Sequence, residues 1–154
     1  MHYAAREGNL KIATMLLSKG AKVDARNKDA NTALIWASRQ GYAQVAELLL
    51  NKGAAVDTTN NDNNTALMWA SNNGYTEVVQ LLIKHRAKMD VINKFGTTAL
   101  MLATYSGHAD IVQLLVDNKA SIELKNTAGK NSFDYANIKG NSTIINILKK
   151  GAKK

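Results

Sequence analysis

The side chains able to do chemistry are few and scattered. The 154-residue chain has three histidines, His2, His85 and His108, and no cysteine. A zinc site needs three or four ligands that converge from matched spacings. These histidines fall in separate stretches with no His-Glu-x-x-His arrangement. His85 stands near the end of an apolar stripe, where a helix C-terminus favours partial positive charge. His108 follows Gly107 and lacks the convergent ligands that a metal site needs. The carboxylates Asp57, Asp90 and Glu123 recur at an interval of 33 residues, which marks them as fixtures of a repeated loop. General acid–base work needs one local pair within reach of one substrate. Neither a phosphate loop nor a G-x-S-x-G elbow is present. The expectation is a protein that is not an enzyme, with no cofactor and no metal ligand.

Net charge is the next candidate. At +8 it invites a nucleic-acid reading. Divided along the chain, residues 1–26 carry +3, residues 27–59, 60–92 and 93–125 each carry zero, and residues 126–154 carry +5. A nucleic-acid groove lays its charge along one continuous face. Here the excess sits at the ends. Lys149, Lys150, Lys153 and Lys154 are better placed to solubilise a last unit and to complement the negative end of its helix. Binding of nucleic acid or another anionic surface through the basic ends therefore ranks second.

The 33-residue interval runs through the whole chain. Asn27, Asn60, Asn93 and Asn126 begin equivalent stretches. Five residues later stand Thr32, Thr65, Thr98 and Asn131. Then come Ala33-Leu34-Ile35-Trp36-Ala37, Ala66-Leu67-Met68-Trp69-Ala70, Ala99-Leu100-Met101-Leu102-Ala103 and a degraded Ser132-Phe133-Asp134-Tyr135-Ala136. In one unit, Asn27 to Asn31 is turn chemistry, because Asn and Asp side chains bond their own backbone two residues on. Thr32 suits an N-cap. Ala33 to Gln40 predicts a short helix with Leu34, Ala37 and Ser38 on one face. Gly41 breaks it, and Tyr42 to Lys52 predicts a second helix with Val45, Leu48 and Leu49 inward. Gly53 ends it in the left-handed region. One such hairpin cannot bury its apolar face alone, whereas stacked neighbours can.

These recurring positions are similar to the ankyrin repeat pattern, with its turn, T-P-L-H-x-A, G-H, V-V, L-L and G-A signatures. The likeness covers essentially the whole chain. It implies an all-α solenoid of stacked helix-turn-helix units with β-turn fingers, in one domain. Residues 1–26 form a partial first unit, 27–59, 60–92 and 93–125 full units, and 126–154 a capping unit. The family proline is replaced by Ala33, Ala66, Ala99 and Ser132. The family histidine, which ties neighbouring turns by hydrogen bonds, is replaced by Ile35, Met68, Met101 and Asp134, so the resemblance leaves the rigidity of these turns open. Arg86 and Lys119 stand where the family ends its second helix with glycine, and a non-glycine residue there costs about 1 kcal/mol.

Against this constant frame, certain positions vary. At the ends of the first helices they are Arg6 and Glu7, Arg39 and Gln40, Asn72 and Asn73, Tyr105 and Ser106, and Ile138 and Lys139. At the turn tips they are Lys28, Asp29 and Asn31; Asn61, Asp62 and Asn64; Lys94, Phe95 and Thr97; and Thr127, Ala128 and Lys130. Stacking aligns them into one concave strip, which the resemblance implies is the partner-binding surface. Tyr3, Trp36, Trp69, Leu102 and Tyr135 form a column beside it. Packing between units is favoured for that column over contact with a partner, although Trp36 and Trp69 remain candidates. Phe95 sits at a turn tip, where an exposed anchor and a turn-packing role are balanced.

The resulting expectation is a non-catalytic module that binds another protein through the strip. It is expected to be a monomer, with end-to-end self-association through the first unit as the alternative, since Ile12, Met15 and Leu16 there have few covering groups. No apolar run approaches the roughly 20 residues that span a bilayer, and Met1-His2-Tyr3-Ala4-Ala5 runs directly into repeat text without a visible leader. A cytoplasmic location follows, with secretion as an effector left open.

Overall fold

A computed structural model describes residues 1–152. Lys153 and Lys154 of the terminal basic cluster lie outside the described residues. Ten helices follow in pairs: α1 (His2–Arg6) and α2 (Leu10–Ser18), α3 (Ala33–Gln40) and α4 (Ala43–Asn51), α5 (Ala66–Asn73) and α6 (Thr76–Lys84), α7 (Ala99–Ser106) and α8 (Ala109–Asp117), and α9 (Ser132–Lys139) and α10 (Ser142–Gly151). No strand occurs among the described residues. Odd-numbered helices pack in one row, α1 on α3 on α5 on α7 on α9, and even-numbered helices in a second row. Small residues let the first row close up. Ala37, Ala70, Ala103 and Ala136 are fully buried between its helices.

The core runs lengthwise between the two rows. Leu34, Leu67 and Leu100 from the inner row meet Val45, Val78, Ile111 and Ile144 from the outer row, all buried. The inner helices start as expected. Thr32, Thr65 and Thr98 cap them by accepting the backbone N–H groups of Ile35, Met68 and Met101. Asn131 does so for Asp134, and the Asp134 carboxylate returns a bond to the Asn131 N–H in a capping box.

The outer helices α4, α6 and α8 start one residue later than expected, with Tyr42, Tyr75 and His108 at the cap position and no side-chain cap bond. These rings pack across the joint between units. A Cβ at Gly41, whose φ is +79°, would stand 2.5 Å from the Tyr75 ring, and one at Gly74 would stand 2.7 Å from His108. Glycine is thus needed there both for its left-handed backbone and for the close approach of the next unit's ring.

The turns are tied together by other groups than the family histidine. The family histidine is absent, but asparagine replaces its function. Asn60 accepts the N–H groups of Asp62 and Asn64 through Oδ1, which shapes its own turn. Its Nδ2 donates to Asn31 Oδ1 of the preceding turn at 3.1 Å, and Asn93 donates to Asn64 in the same way at 3.0 Å. Backbone bonds from Asn61 to Asp29, Lys94 to Asp62 and Thr127 to Phe95 join successive fingers. Each turn is therefore tied to the one before it.

Candidate functional site

Most of the residues that first suggested chemistry hold the frame together. Ring nitrogens of His2 and His108 bond the backbone carbonyls of Ala25 (2.8 Å) and Asn72 (3.1 Å). His85 caps the C-terminus of α6. Asp57 and Asp90 accept the backbone N–H groups of Lys88 and Ser121 in the following units. Asp24 does the same for Ala55, a member of the series that the sequence reading missed. Its signal was the same interval of 33 residues.

One side of the stack is built from the far ends of the inner helices and the turn tips. The aromatic column lies along it. Tyr3 is 70% exposed, whereas Trp36, Trp69 and Leu102 are half-buried and pack against the core. Each helix end presents its variable side chains beside this column, because residues three and four apart share a helix face.

Three cations rest on rings of the column or beside it. The Arg39 guanidinium lies 4.3 Å from the Trp69 ring centroid and 5.5 Å from that of Trp36, so it spans two units. Arg6 lies 5.3 Å from the Tyr3 centroid. Lys139 Nζ lies 4.0 Å from the Tyr105 centroid, and Tyr105 meets Tyr135 edge to face at 5.6 Å. Each cation–π contact contributes about 0.5–1 kcal/mol at such partly open sites. Between the contacts lie shallow pockets. One of about 230 Å³ is lined by His2, Tyr3, Arg6, Asn27 and Trp36. Another of about 170 Å³ is lined by Asn64, Met68, Trp69, Asn72, Asn93 and Leu102. A third of about 320 Å³ is lined by Thr97, Met101, Leu102, Tyr105 and Tyr135.

The other candidate residues divide by environment. Lys28, Asp29, Gln40, Asn61, Asp62, Asn73, Lys94, Phe95, Tyr105 and Ser106 are exposed. Asn31 is not. It is 6% exposed and its side chain accepts from Asn60, so it belongs to the frame and not to the open strip. Asn64 is engaged the same way by Asn93. The Asn73 amide donates to the Arg39 carbonyl at 2.8 Å, and Asn72 accepts from Ser106 at 3.3 Å, so these side chains also lock unit to unit. Lys94 pairs with Asp62 at 3.9 Å across neighbouring fingers. Phe95 is 65% exposed, which decides between its two readings in favour of an open side chain. Ile92, 52% exposed on the same finger, was missed, because nothing in its type distinguishes it from the buried aliphatics around it.

A family model described as ankyrin repeats (3 copies) matches residues 1–93 and 85–154. No curated protein matches the chain.

Proposed function

Because the chain belongs to the ankyrin repeat family, whose members are generally non-enzymatic protein–protein interaction modules, we propose that it binds a partner protein along the concave strip. One observation carries this reading. A half-buried aromatic column with stacked cations and shallow pockets crosses successive units on a single face. Partly buried aromatics and arginines supply most of the energy in protein interfaces when a partner finishes excluding water from them. In this reading Trp36, Arg39, Trp69 and Tyr105 are the anchors. Lys28, Asp29, Gln40, Asn61, Asp62, Asn72, Asn73, Lys94, Phe95 and Ser106 surround them and set the register of the partner.

Affinity capture from the native host tests this. Phe95→Ala and Tyr105→Ala change exposed side chains, so the fold is retained. A paired Gln44→Ala, Gln80→Ala variant on the opposite side serves as control, since both residues are exposed on outer helices. Loss of the captured protein in the first variant alone supports the strip. Loss in the control alone sinks it. Capture of nucleic acid, with affinity falling steeply as salt rises, transfers the function to the basic ends.

A further inference from the structure

The strip is not uniform, and its irregularity defines a ligand. Between Trp36 and Trp69 lies the Arg39 guanidinium, over both indoles. Its N–H donors make no hydrogen bond or ion pair among the described residues. Three acids of the same face are engaged elsewhere. Glu7 pairs with Arg6 at 2.9 Å, Asp62 pairs with Lys94, and Asp134 closes a capping box. Lys139, stacked on Tyr105, also has no ion-pair partner among the described residues. A planar guanidinium held on rings has lost most of its rotational freedom, and its edge fits a carboxylate through two parallel hydrogen bonds.

On either side of Arg39 the face changes character. Toward the first unit lies the Tyr3–Trp36 pocket. Toward the last unit follow the pocket between Trp69 and Leu102 and the pocket between Leu102 and Tyr135. Packed helices stand about 8–10 Å apart, and a chain extended in the polyproline II form rises about 3.1 Å per residue and brings every third side chain to the same face. One unit of the solenoid therefore matches about three residues of an extended ligand.

We propose that the strip binds an extended acidic protein segment in which a carboxylate at Arg39 is flanked by large apolar side chains about three residues to one side and three and six to the other. This rests on the concave-strip reading above and deepens it. A nucleic-acid backbone fits less well, because its regular phosphates need a continuous basic face, and residues 27–59, 60–92 and 93–125 each carry no net charge.

The test is selection from a displayed library of random 12-residue peptides, on the wild-type chain and on Arg39→Met, Arg39→Lys and Tyr105→Ala variants. Circular dichroism melts establish that each variant is folded. Wild type is expected to enrich peptides with Asp or Glu at a fixed position and apolar residues at multiples of three from it. In Arg39→Met that acid preference should vanish while the apolar spacing persists, and Arg39→Lys should retain part of it. Changing the selected carboxylate to its amide should weaken binding about tenfold in fluorescence anisotropy. Neutral peptides that depend on Tyr105 would overturn the acidic class and leave the strip as the binding surface. Peptides insensitive to every variant, or no enrichment at all, would overturn both. Displacement of the selected peptides by an equal concentration of random single-stranded RNA would replace the acidic segment with a phosphate ligand.

Discussion

Single residues carry two different loads in this molecule. Asn60 accepts two backbone N–H groups of its own turn and donates to Asn31 of the preceding one, while only 7% exposed. Replacing it by alanine leaves those groups short of partners in a dry site, at about 2 kcal/mol. Asn60→Ala should therefore lower the melting temperature by roughly 5 °C in a calorimetric scan. Lys119 illustrates the opposite load. Its φ of +67° places a side chain in the left-handed region, where Gly20 and Gly53 stand at equivalent positions with open space around them. Lys119→Gly relieves that strain without removing a packing contact. After the greater freedom of glycine in the unfolded chain is subtracted, a rise of about 1–3 °C is expected. Both positions were legible in the sequence from the repeat. Ala30 and Asn63, at φ of 60°, were not recognised as left-handed, because only the later units place Gly96 and Gly129 there.

At the scale of elements, neighbouring units are joined by polar bonds as well as apolar packing. The Thr76 hydroxyl on α6 donates to the Asp110 carboxylate on α8. That bond is the main reason the Asp110 carboxyl lies below the usual carboxylate range, with burial, the next largest effect, acting in the other direction. A carboxyl depressed in the folded state adds stability that is full above its unfolded value and is lost as the pH falls through its folded value. Below the ordinary aspartate range of about 4, this joint should loosen. In Thr76→Val the loss of stability between pH 7 and pH 2, read from urea melts, should be smaller than in wild type. An unchanged acid limb would show that the bond contributes nothing in solution. Asp24, Asp57 and Asp90 also accept backbone hydrogen bonds from the next unit. Sequence spacing marked Asp57 and Asp90 as loop fixtures. The amides they accept from could not be read from it, since those lie 31 residues downstream and meet them only once the units stack.

In the whole molecule, each unit touches only its neighbours, so stability must vary along the stack. Helix α2 buries a single residue, Ala13, whereas α4 buries Ala43, Val45, Ala46, Leu49 and Leu50. Leu10, Ile12 and Met15 remain 37%, 39% and 50% exposed. Amide hydrogen exchange should be fastest in α2 and slowest in α4 and α6. Protection of α2 that grows with protein concentration, matched by a rising mass in light scattering, would mean that two first units meet end to end. By itself, the sequence determined the period, the helix pairs, the threonine caps and the alternation of constant and varied positions. These depend on local backbone preference and on which faces must be buried, and both repeat at a fixed interval. Only the tertiary structure decided which varied side chains face open solvent and which bind a neighbouring unit. Asn31, Asn64 and Asn73 have the composition of surface residues, yet their amides are taken by groups 29 to 34 residues away. Arg39 and the two tryptophans likewise become a single feature only through stacking. Such pairings depend on the distance between units in space, and that distance is fixed by helix packing across the joint, which no single unit contains.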